Sequence, residues 1–144
     1  MGDRSKDDEI DKLVDVYVKQ GYRSDAVVAA RARGTTGLTK AEKDKLIEVC
    51  IGKGDLEEAF NTAGMGGVSP AAIDMLVEAY IIKNSVYAIY TAKLGASQAE
   101  IDRLVIMYLK DGLLSCAMDV AEMRKEPGLT TAEIKVFREK KERQ

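Results

Sequence analysis

The chain has 144 residues, of which 46% are hydrophobic and 32% are charged, and its formal net charge is −2 at pH 7. This length fits one domain, and the acidic balance argues against the basic surface that nucleic-acid binders usually carry. The chain contains no histidine, so it lacks the imidazole base of a Ser or Cys triad and the His ligands of a zinc site. We therefore expect no enzymatic activity, no cofactor and no bound metal.

The first eight residues are mostly charged and polar, and no apolar run follows them. We expect residues 1–8 to be a flexible N-terminus and not a signal peptide. No stretch approaches the roughly 20 apolar residues that a membrane span needs. Two cysteines in the whole chain are too few for a disulfide scaffold. These features predict a cytoplasmic protein with no membrane contact.

A short motif occurs four times within residues 9–137. Each copy has an Asp, a Leu two residues later, a branched residue next, and a Tyr or Cys four residues after the Leu. The four aspartates are Asp11, Asp44, Asp74 and Asp102, and the four leucines are Leu13, Leu46, Leu76 and Leu104. Successive leucines are 33, 30 and 28 residues apart, which suits one helical hairpin per copy. The motif predicts one repeat domain with hairpins at about residues 9–37, 38–67, 68–96 and 97–128.

Capping residues mark where each first helix begins. Three Ser/Thr-x-x-Glu segments predict capping boxes, in which the hydroxyl and the carboxylate satisfy free amides at the helix start. They begin at Thr39, Ser97 and Thr130. The third hairpin has Ser69 followed by Pro70, a residue favoured at the first helical position. We expect first helices to begin near residues 7, 40, 70 and 98, and to end at Gly21, Gly54, Asn84 and Gly112.

The second helix of each hairpin is predicted from the apolar and alanine positions that follow. The expected ranges are 25–33, 56–63, 86–94 and 114–124. Alanines four residues apart allow two helices to approach closely. They are Ala26 and Ala30, Ala59 and Ala63, and Ala117 and Ala121. Residues 129–144 restart the motif and then become polar, so we expect a C-terminal capping helix, which terminal repeats require.

The pattern Leu-Ile/Val-x-x-Tyr-x-x-x-Gly-x-x-x-x-Ala resembles the helical-hairpin repeats of the tetratricopeptide and pentatricopeptide superfamily. Residues 45–60, KLIEVCIGKGDLEEAF, are especially similar to a pentatricopeptide repeat. Two features depart from the families: a branched residue follows each Leu where tetratricopeptide repeats tend to have a small one, and the repeats are shorter and irregular. We expect an all-α fold, a right-handed α-α superhelix (solenoid) of about four helical hairpins with the capping helix.

The resemblance implies that the first helices line a concave groove and that the repeated Asp position points into it. In pentatricopeptide proteins this position helps to select an RNA base, but Asp in all four copies specifies no sequence. Asp15, Glu48 and Glu78 lie one turn further along the same face. We therefore predict an acidic groove that binds a basic peptide or protein surface, which makes the chain a scaffold or adaptor.

The sequence leaves three alternatives open. The aspartates lie in early helical turns, so they can have a purely structural role with the helix dipole or with linker amides. Basic residues in the C-terminal helix offer a contact for RNA, which would make the chain an RNA-binding repeat protein. They are Arg138, Lys140, Lys141 and Arg143. The third hairpin is the most apolar copy, which favours a buried centre or an interface in a homo-oligomer. The residues concerned are Ile81, Ile82, Tyr87, Ile89 and Tyr90.

Overall fold

The computed structural model of the chain describes residues 3–34 and 37–143, and every regular element in these ranges is an α-helix. The described ranges contain nine helices, in chain order α1 (Asp3–Gln20), α2 (Arg23–Arg31), α3 (Lys40–Gly52), α4 (Leu56–Gly64), α5 (Pro70–Ile82), α6 (Tyr87–Ala92), α7 (Gln98–Lys110), α8 (Leu114–Ala121) and α9 (Thr131–Glu142). The prediction of an all-α fold is confirmed.

Consecutive helices pack as four hairpins: α1 with α2, α3 with α4, α5 with α6, and α7 with α8. The first helices also pack along the array, α1 on α3, α3 on α5, and α7 on α9. Second helices also contact the next hairpin: α4 packs on its first helix, α5, and α6 packs on α8, the second helix of the fourth hairpin. The helix α9 therefore stands where the first helix of a fifth hairpin would stand.

The predicted caps explain where the first helices begin. Thr39 and Thr130 form complete capping boxes with Glu42 and Glu133. Ser69 accepts a hydrogen bond from the backbone N–H of Ala72, and Pro70 occupies the start of α5. Each cap satisfies amides that have no partner inside the helix, which fixes the first residue.

The first helices of the hairpins end where a left-handed residue stops them. Gly21, Gly54 and Gly112 have φ values of 75°, 77° and 76°, and Asn84 has φ 53°. Glycine adopts this region without strain, and asparagine tolerates it better than most residues. The backbone N–H after each of them bonds back to the helix, as Asp55 does to the carbonyl of Cys50 at 2.8 Å. All four predicted stops are confirmed.

Several predicted boundaries were wrong by a few residues. The helix α1 begins at Asp3 and not near residue 7, so residues 3–8 are helical in the structure. The helix α2 lies two residues earlier than predicted, and α6 and α8 are shorter. As a result Arg33 and Arg124, which were placed inside helices, lie in the linkers that follow them. Residues 35 and 36 of the first linker lie outside the described residues.

The repeat positions have fixed packing roles. The branched residue after each Leu is fully buried inside its own hairpin, as Val14, Ile47, Val77 and Val105 show. The Leu before it packs towards the preceding hairpin: Leu46 belongs to the same apolar cluster as Val14, Ala26 and Ala30. No described hairpin precedes α1, so Leu13 is 45% exposed although the other three leucines are fully buried. The predicted alanines of α2, α4 and α8 are also buried.

Candidate functional site

The repeated aspartates lie at the junctions between consecutive hairpins. At two junctions the Asp side chain caps the next first helix. The backbone N–H of Ser69 donates to Asp44 Oδ1 at 2.9 Å, and the backbone N–H of Ser97 donates to Asp74 Oδ1 at 2.8 Å. Each bond satisfies an amide at the N-cap residue and ties one hairpin to the next.

The other two aspartates reach the next helix through an arginine. Arg33 Nη1 donates to Asp11 Oδ1 at 3.1 Å, and Arg33 Nη2 donates to Glu42 of the next capping box at 2.7 Å. Arg124 repeats this arrangement at the end of the array, with Nε on Asp102 Oδ1 at 2.9 Å and Nη1 on Glu133 at 2.6 Å. A planar guanidinium suits this double recognition because its donors form a fixed fork.

Sequence reasoning missed these two arginine junctions, although the chain carries a signal for them. The pattern Arg-x-x-x-Gly-Leu-Thr-x-Ala-Glu begins at Arg33 and again at Arg124. In both copies the arginine also donates to the Gly carbonyl four residues on, Gly37 at 2.9 Å and Gly128 at 3.3 Å. The two outermost junctions of the array thus share one design, whereas the two inner junctions use the direct Asp contact.

The arginine junctions change the acidity of the carboxyl groups they hold. Hydrogen bonds from Arg124 lower the pKa of Glu133 to about 2, although burial alone would raise it. Burial opposes ionisation of Glu42, but the bonds from Arg33 and Thr39 outweigh it, and the pKa of Glu42 is also lowered. Both carboxylates are therefore charged at neutral pH and hold their arginines as ion pairs.

The junction between the third and fourth hairpins contains a pair of facing carboxyl groups. Because Asp74 takes the amide of Ser97, the predicted capping box at Ser97 is only half formed: Ser97 Oγ accepts from the N–H of Glu100 at 3.2 Å, but Glu100 does not bond back. Burial and the neighbouring carboxyl group of Glu78 raise the pKa of Glu100 to about 7. No described residue bonds to Oε2 of Glu78 or Glu100. Arg103 balances this acid pair through a 2.6 Å contact to Glu78.

The second predicted acidic row is also paired within the chain. Asp15 contacts Lys19 at 2.9 Å and Glu48 contacts Lys45 at 3.5 Å, both on exposed helix surface. Exposed pairs of this kind contribute about 0–1 kcal/mol and exchange readily with other partners. All seven predicted partner-binding acids therefore have a bond inside the chain, and the structural role that the sequence left open has direct support. Binding of a basic ligand by these acids stays a prediction.

The predicted basic surface lies on α9. Arg138 is exposed and only loosely paired with Glu142 at 3.8 Å, and Lys141 Nζ lies 5.4 Å from the centre of the Phe137 ring. Lys140 is half-buried and Arg143 is exposed. Acidic residues alternate with these bases along the helix, so the surface is of mixed sign. Contact of this helix with RNA stays a prediction.

Aromatic side chains form a connected cluster on α4, α5 and α6. Tyr80 is buried, and its hydroxyl donates to the carbonyl of Leu56 at 3.1 Å. Its ring stacks on Tyr87, with centroids 5.6 Å apart, and Tyr87 makes edge contacts with Phe60 and Tyr90 at 5.8 Å each. Tyr87 and Tyr90 stay 50% and 52% exposed. We call Phe60, Tyr87 and Tyr90 the aromatic patch.

The third hairpin is thus both a buried centre and an exposed surface. Of the residues singled out from its sequence, Ile89 is buried and Ile81 is half-buried, while Ile82 and the two tyrosines are exposed. Val86, at the start of α6, is 61% exposed beside Tyr87. Sequence reasoning missed Phe60, because its contact with the third hairpin depends on the packing of the second hairpin.

The described residues contain no group of three His, Cys, Asp or Glu side chains placed to hold a metal ion. Among the helices given above, none is both long and apolar enough to cross a membrane. No protein-family model, no curated protein and no solved structure matches the chain.

Proposed function

We propose that the chain is a non-enzymatic protein-interaction module, a scaffold or adaptor that binds another protein through the aromatic patch. The observation that carries this proposal is the half-exposure of Tyr87 and Tyr90 on top of a buried, hydrogen-bonded Tyr80. Tyrosine is among the residues enriched at the energetic centres of protein interfaces. It offers a large apolar surface and a hydroxyl that needs a partner when it is buried.

The patch is organised before any partner arrives. Each exposed ring rests against another ring, and Lys93 Nζ lies 5.8 Å from the centre of the Tyr90 ring. Side chains that are already held in place lose less entropy on binding, and this raises the affinity that a given contact area delivers. Exposed apolar side chains grouped together, with polar residues around them, are typical of binding surfaces.

Affinity capture from the native lysate tests this proposal. We expect a Tyr87→Ala, Tyr90→Ala variant to recover its principal protein partner at least about 10-fold less than wild type, in line with the loss of two interface anchors. Val28→Ala is the matched control, because Val28 is 63% exposed on the first hairpin, away from the patch. Circular dichroism must show that all three proteins are folded. Equal recovery by wild type and the double variant would contradict the proposal.

The acidic groove is a second candidate surface for the same function, with a basic peptide or protein as ligand. Its test must avoid Asp44 and Asp74, because their side chains cap helices. Asp15→Asn with Glu48→Gln removes two exposed charges and breaks only surface ion pairs. Loss of a basic partner in this variant alone would move the site from the aromatic patch to the groove.

Two further outcomes distinguish the remaining alternatives. Recovery that disappears after nuclease treatment, weakens steeply with salt and is lost on Lys140→Glu with Lys141→Glu would identify an RNA-binding protein. A mass in sedimentation that rises with concentration, and returns to the monomer value on Tyr90→Ala, would show that the patch joins two copies of the chain.

A further inference from the structure

The junction between the third and fourth hairpins, here called the third junction, is packed less closely than the other three. At those junctions one first helix packs on the next, α1 on α3, α3 on α5, and α7 on α9. The helices α5 and α7 approach each other less closely, and the main contact is between the second helices α6 and α8. The apolar core continues through the junction. The two parts of the array therefore stay joined, and the first helices are the more loosely held side.

A hydrogen bond that joins hairpins at the first two junctions is missing at the third. At the first junction Cys50 Sγ donates to the carbonyl of Gly21 at 3.6 Å. At the second junction the hydroxyl of Tyr80 donates to the carbonyl of Leu56, the first residue of α4, at 3.1 Å. Tyr108 holds the same repeat position, but its hydroxyl makes no such bond within the described residues. A cleft of about 290 Å³ lies there instead, between Tyr108 and the turn that joins α5 to α6.

The third junction also lacks the arginine of the outermost junctions. Arg33 and Arg124 stand six residues before the N-cap threonines of α3 and α9, and each holds the glutamate of the capping box that follows. The residue six positions before Ser97 is Thr91. Thr91 is fully buried, and no described residue bonds to its hydroxyl. Glu100, which corresponds to the glutamates of those boxes, therefore has no arginine from the preceding hairpin.

In place of an arginine, Glu100 faces another carboxyl group. Glu100 is only 8% exposed, and its Oε2, like Oε2 of Glu78, is buried and has no partner among the described residues. One proton held between two carboxyl groups lets one of them donate to the other. Loss of this proton places two negative charges side by side where water solvates them poorly, which is unfavourable. The pKa of Glu100, about 7, places this loss in the neutral range.

The charged groups around the pair do not replace the missing arginine. Asp74 of α5 adds a third acid, and the amide of Ser97 occupies it. Arg103 of α7 contacts only the other oxygen of Glu78, at 2.6 Å, and offsets part of the negative charge. The helix α6 carries no charged residue, and Asp119, the charged residue of α8, is exposed. Basic residues of the other neighbouring helices are paired elsewhere, among them Lys45 with Glu48 on α3, Arg23 of α2 with Glu58 of α4, and Arg124 with Asp102 and Glu133 between α7 and α9.

We propose that the third junction is a hinge that is closed when Glu78 and Glu100 share one proton and open when both are ionised. In the open form the fourth hairpin and α9 turn away from the third hairpin on the side of α5 and α7, while α6 and α8 stay in contact. The cleft beside Tyr108 leaves room for this movement. The aromatic patch lies wholly on helices before the hinge, so the proposal is independent of the function proposed above.

Pulsed electron paramagnetic resonance between two nitroxide labels measures the opening in the full chain. Labels at Met75→Cys and Lys135→Cys span the third and fourth junctions, and labels at Lys12→Cys and Met75→Cys span the first two. All three positions are exposed. Both native cysteines are replaced by alanine, and circular dichroism verifies the fold. We expect the distance from residue 75 to residue 135 to lengthen by several ångströms from pH 5 to pH 8.5, with a midpoint near 7. The distance from residue 12 to residue 75 should not change.

Substitutions of the acid pair identify the cause of the movement. Glu100→Gln cannot ionise and keeps a donor for Glu78, so the distance from residue 75 to residue 135 should stay at its pH 5 value throughout. Glu78→Gln should have the same effect. Glu48→Gln is the matched control, because Glu48 holds the repeat position of Glu78 on exposed surface, and the full pH response should remain.

Three results would overturn the proposal. The first is a distance from residue 75 to residue 135 that does not change between pH 5 and pH 8.5. The second is a pH response that survives in both Glu100→Gln and Glu78→Gln. The third is an equal response between residues 12 and 75, which would place the movement outside the third junction.

Discussion

Replacing Arg124 with methionine tests the junction between the fourth hairpin and α9. Arg124 and Glu133 are each 10% exposed, and the guanidinium also holds Asp102 and the carbonyl of Gly128. Methionine keeps most of the side-chain length and removes every one of these bonds. The substitution leaves Glu133 as a nearly buried carboxylate that retains only its contacts to Thr130.

The expected loss follows from the acidity of Glu133. Its pKa is about 2 in the folded chain and 4.5 in its ordinary state. Each unit corresponds to about 1.4 kcal/mol, so the environment favours the carboxylate by about 3 kcal/mol. Breaking a buried pair by removing one partner costs a similar amount. We expect Arg124→Met to lower the free energy of unfolding by about 2–4 kcal/mol at pH 7.

Urea unfolding monitored by circular dichroism measures this loss, and its pH dependence identifies the cause. Folding lowers the pKa of Glu133, so the contribution of its carboxylate to the free energy of unfolding is fully present above pH 4.5. This contribution is lost as the pH falls towards 2. The difference in the free energy of unfolding between wild type and Arg124→Met should therefore become smaller as the pH falls from 5 to 3. Arg138→Met is the matched control, since its ion pair is exposed, and it should cost less than about 0.5 kcal/mol. A loss below about 1 kcal/mol in Arg124→Met, or a difference from wild type that does not change with pH, would show that Arg124 does not stabilise the folded chain through the Glu133 carboxylate.

Three further predictions concern the other junctions and turns. The pKa of Glu100 is about 7 in the folded chain and 4.5 in its ordinary state, so the contribution of Glu100 to the free energy of unfolding is fully present below pH 4.5 and declines as the pH rises through 7. Glu100→Gln should remove this decline and raise the free energy of unfolding by about 1–2 kcal/mol at pH 8, measured by urea unfolding. A pH profile equal to that of wild type would contradict this prediction. Asp74→Ala should cost about 1–3 kcal/mol in the same assay, because it leaves the amide of Ser97 without its acceptor, whereas Asp15→Ala should cost less than about 0.5; equal losses would refute the capping role. Because Asn84 has φ 53°, Asn84→Ala should lower the free energy of unfolding by about 1 kcal/mol, whereas Asn84→Gly should leave it unchanged. Thermal melts of the two variants and wild type measure the difference.

Apart from the start of α1, the positions of the first helices were predictable because their capping chemistry is local. At Thr39 and Thr130 the hydroxyl group and the carboxyl group of the Glu three residues later satisfy each other's amides within one helical turn. Gly54 and Gly112 end their helices for a similarly local reason. The second helices were less well placed. Tyr22, at the start of α2, has a backbone carbonyl that accepts from Ala26, and its side chain gives no capping signal.

The sequence offered linker amides as one possible use of the repeated aspartates, but it did not predict which aspartates bond an amide directly and which bond an arginine. At the second junction the residue three positions into α5 is Ala72, so no capping carboxylate competes with Asp44 for the amide of Ser69. At the third junction Glu100 is present and still loses the amide to Asp74. Which acceptor bonds the amide depends on how closely two hairpins approach each other. The spacing of residues along one sequence does not give this distance. Pairing across hairpins is a property of tertiary packing.

Site-specific photo-crosslinking in cells is the most direct test of the claim that the chain binds a protein through its aromatic patch. A photoreactive phenylalanine analogue is placed at Tyr90 in the aromatic patch or at Asp15 in the acidic groove. We expect a crosslinked protein at position 90 that is absent at position 15. Adducts at position 15 alone, or none at position 90, would contradict it.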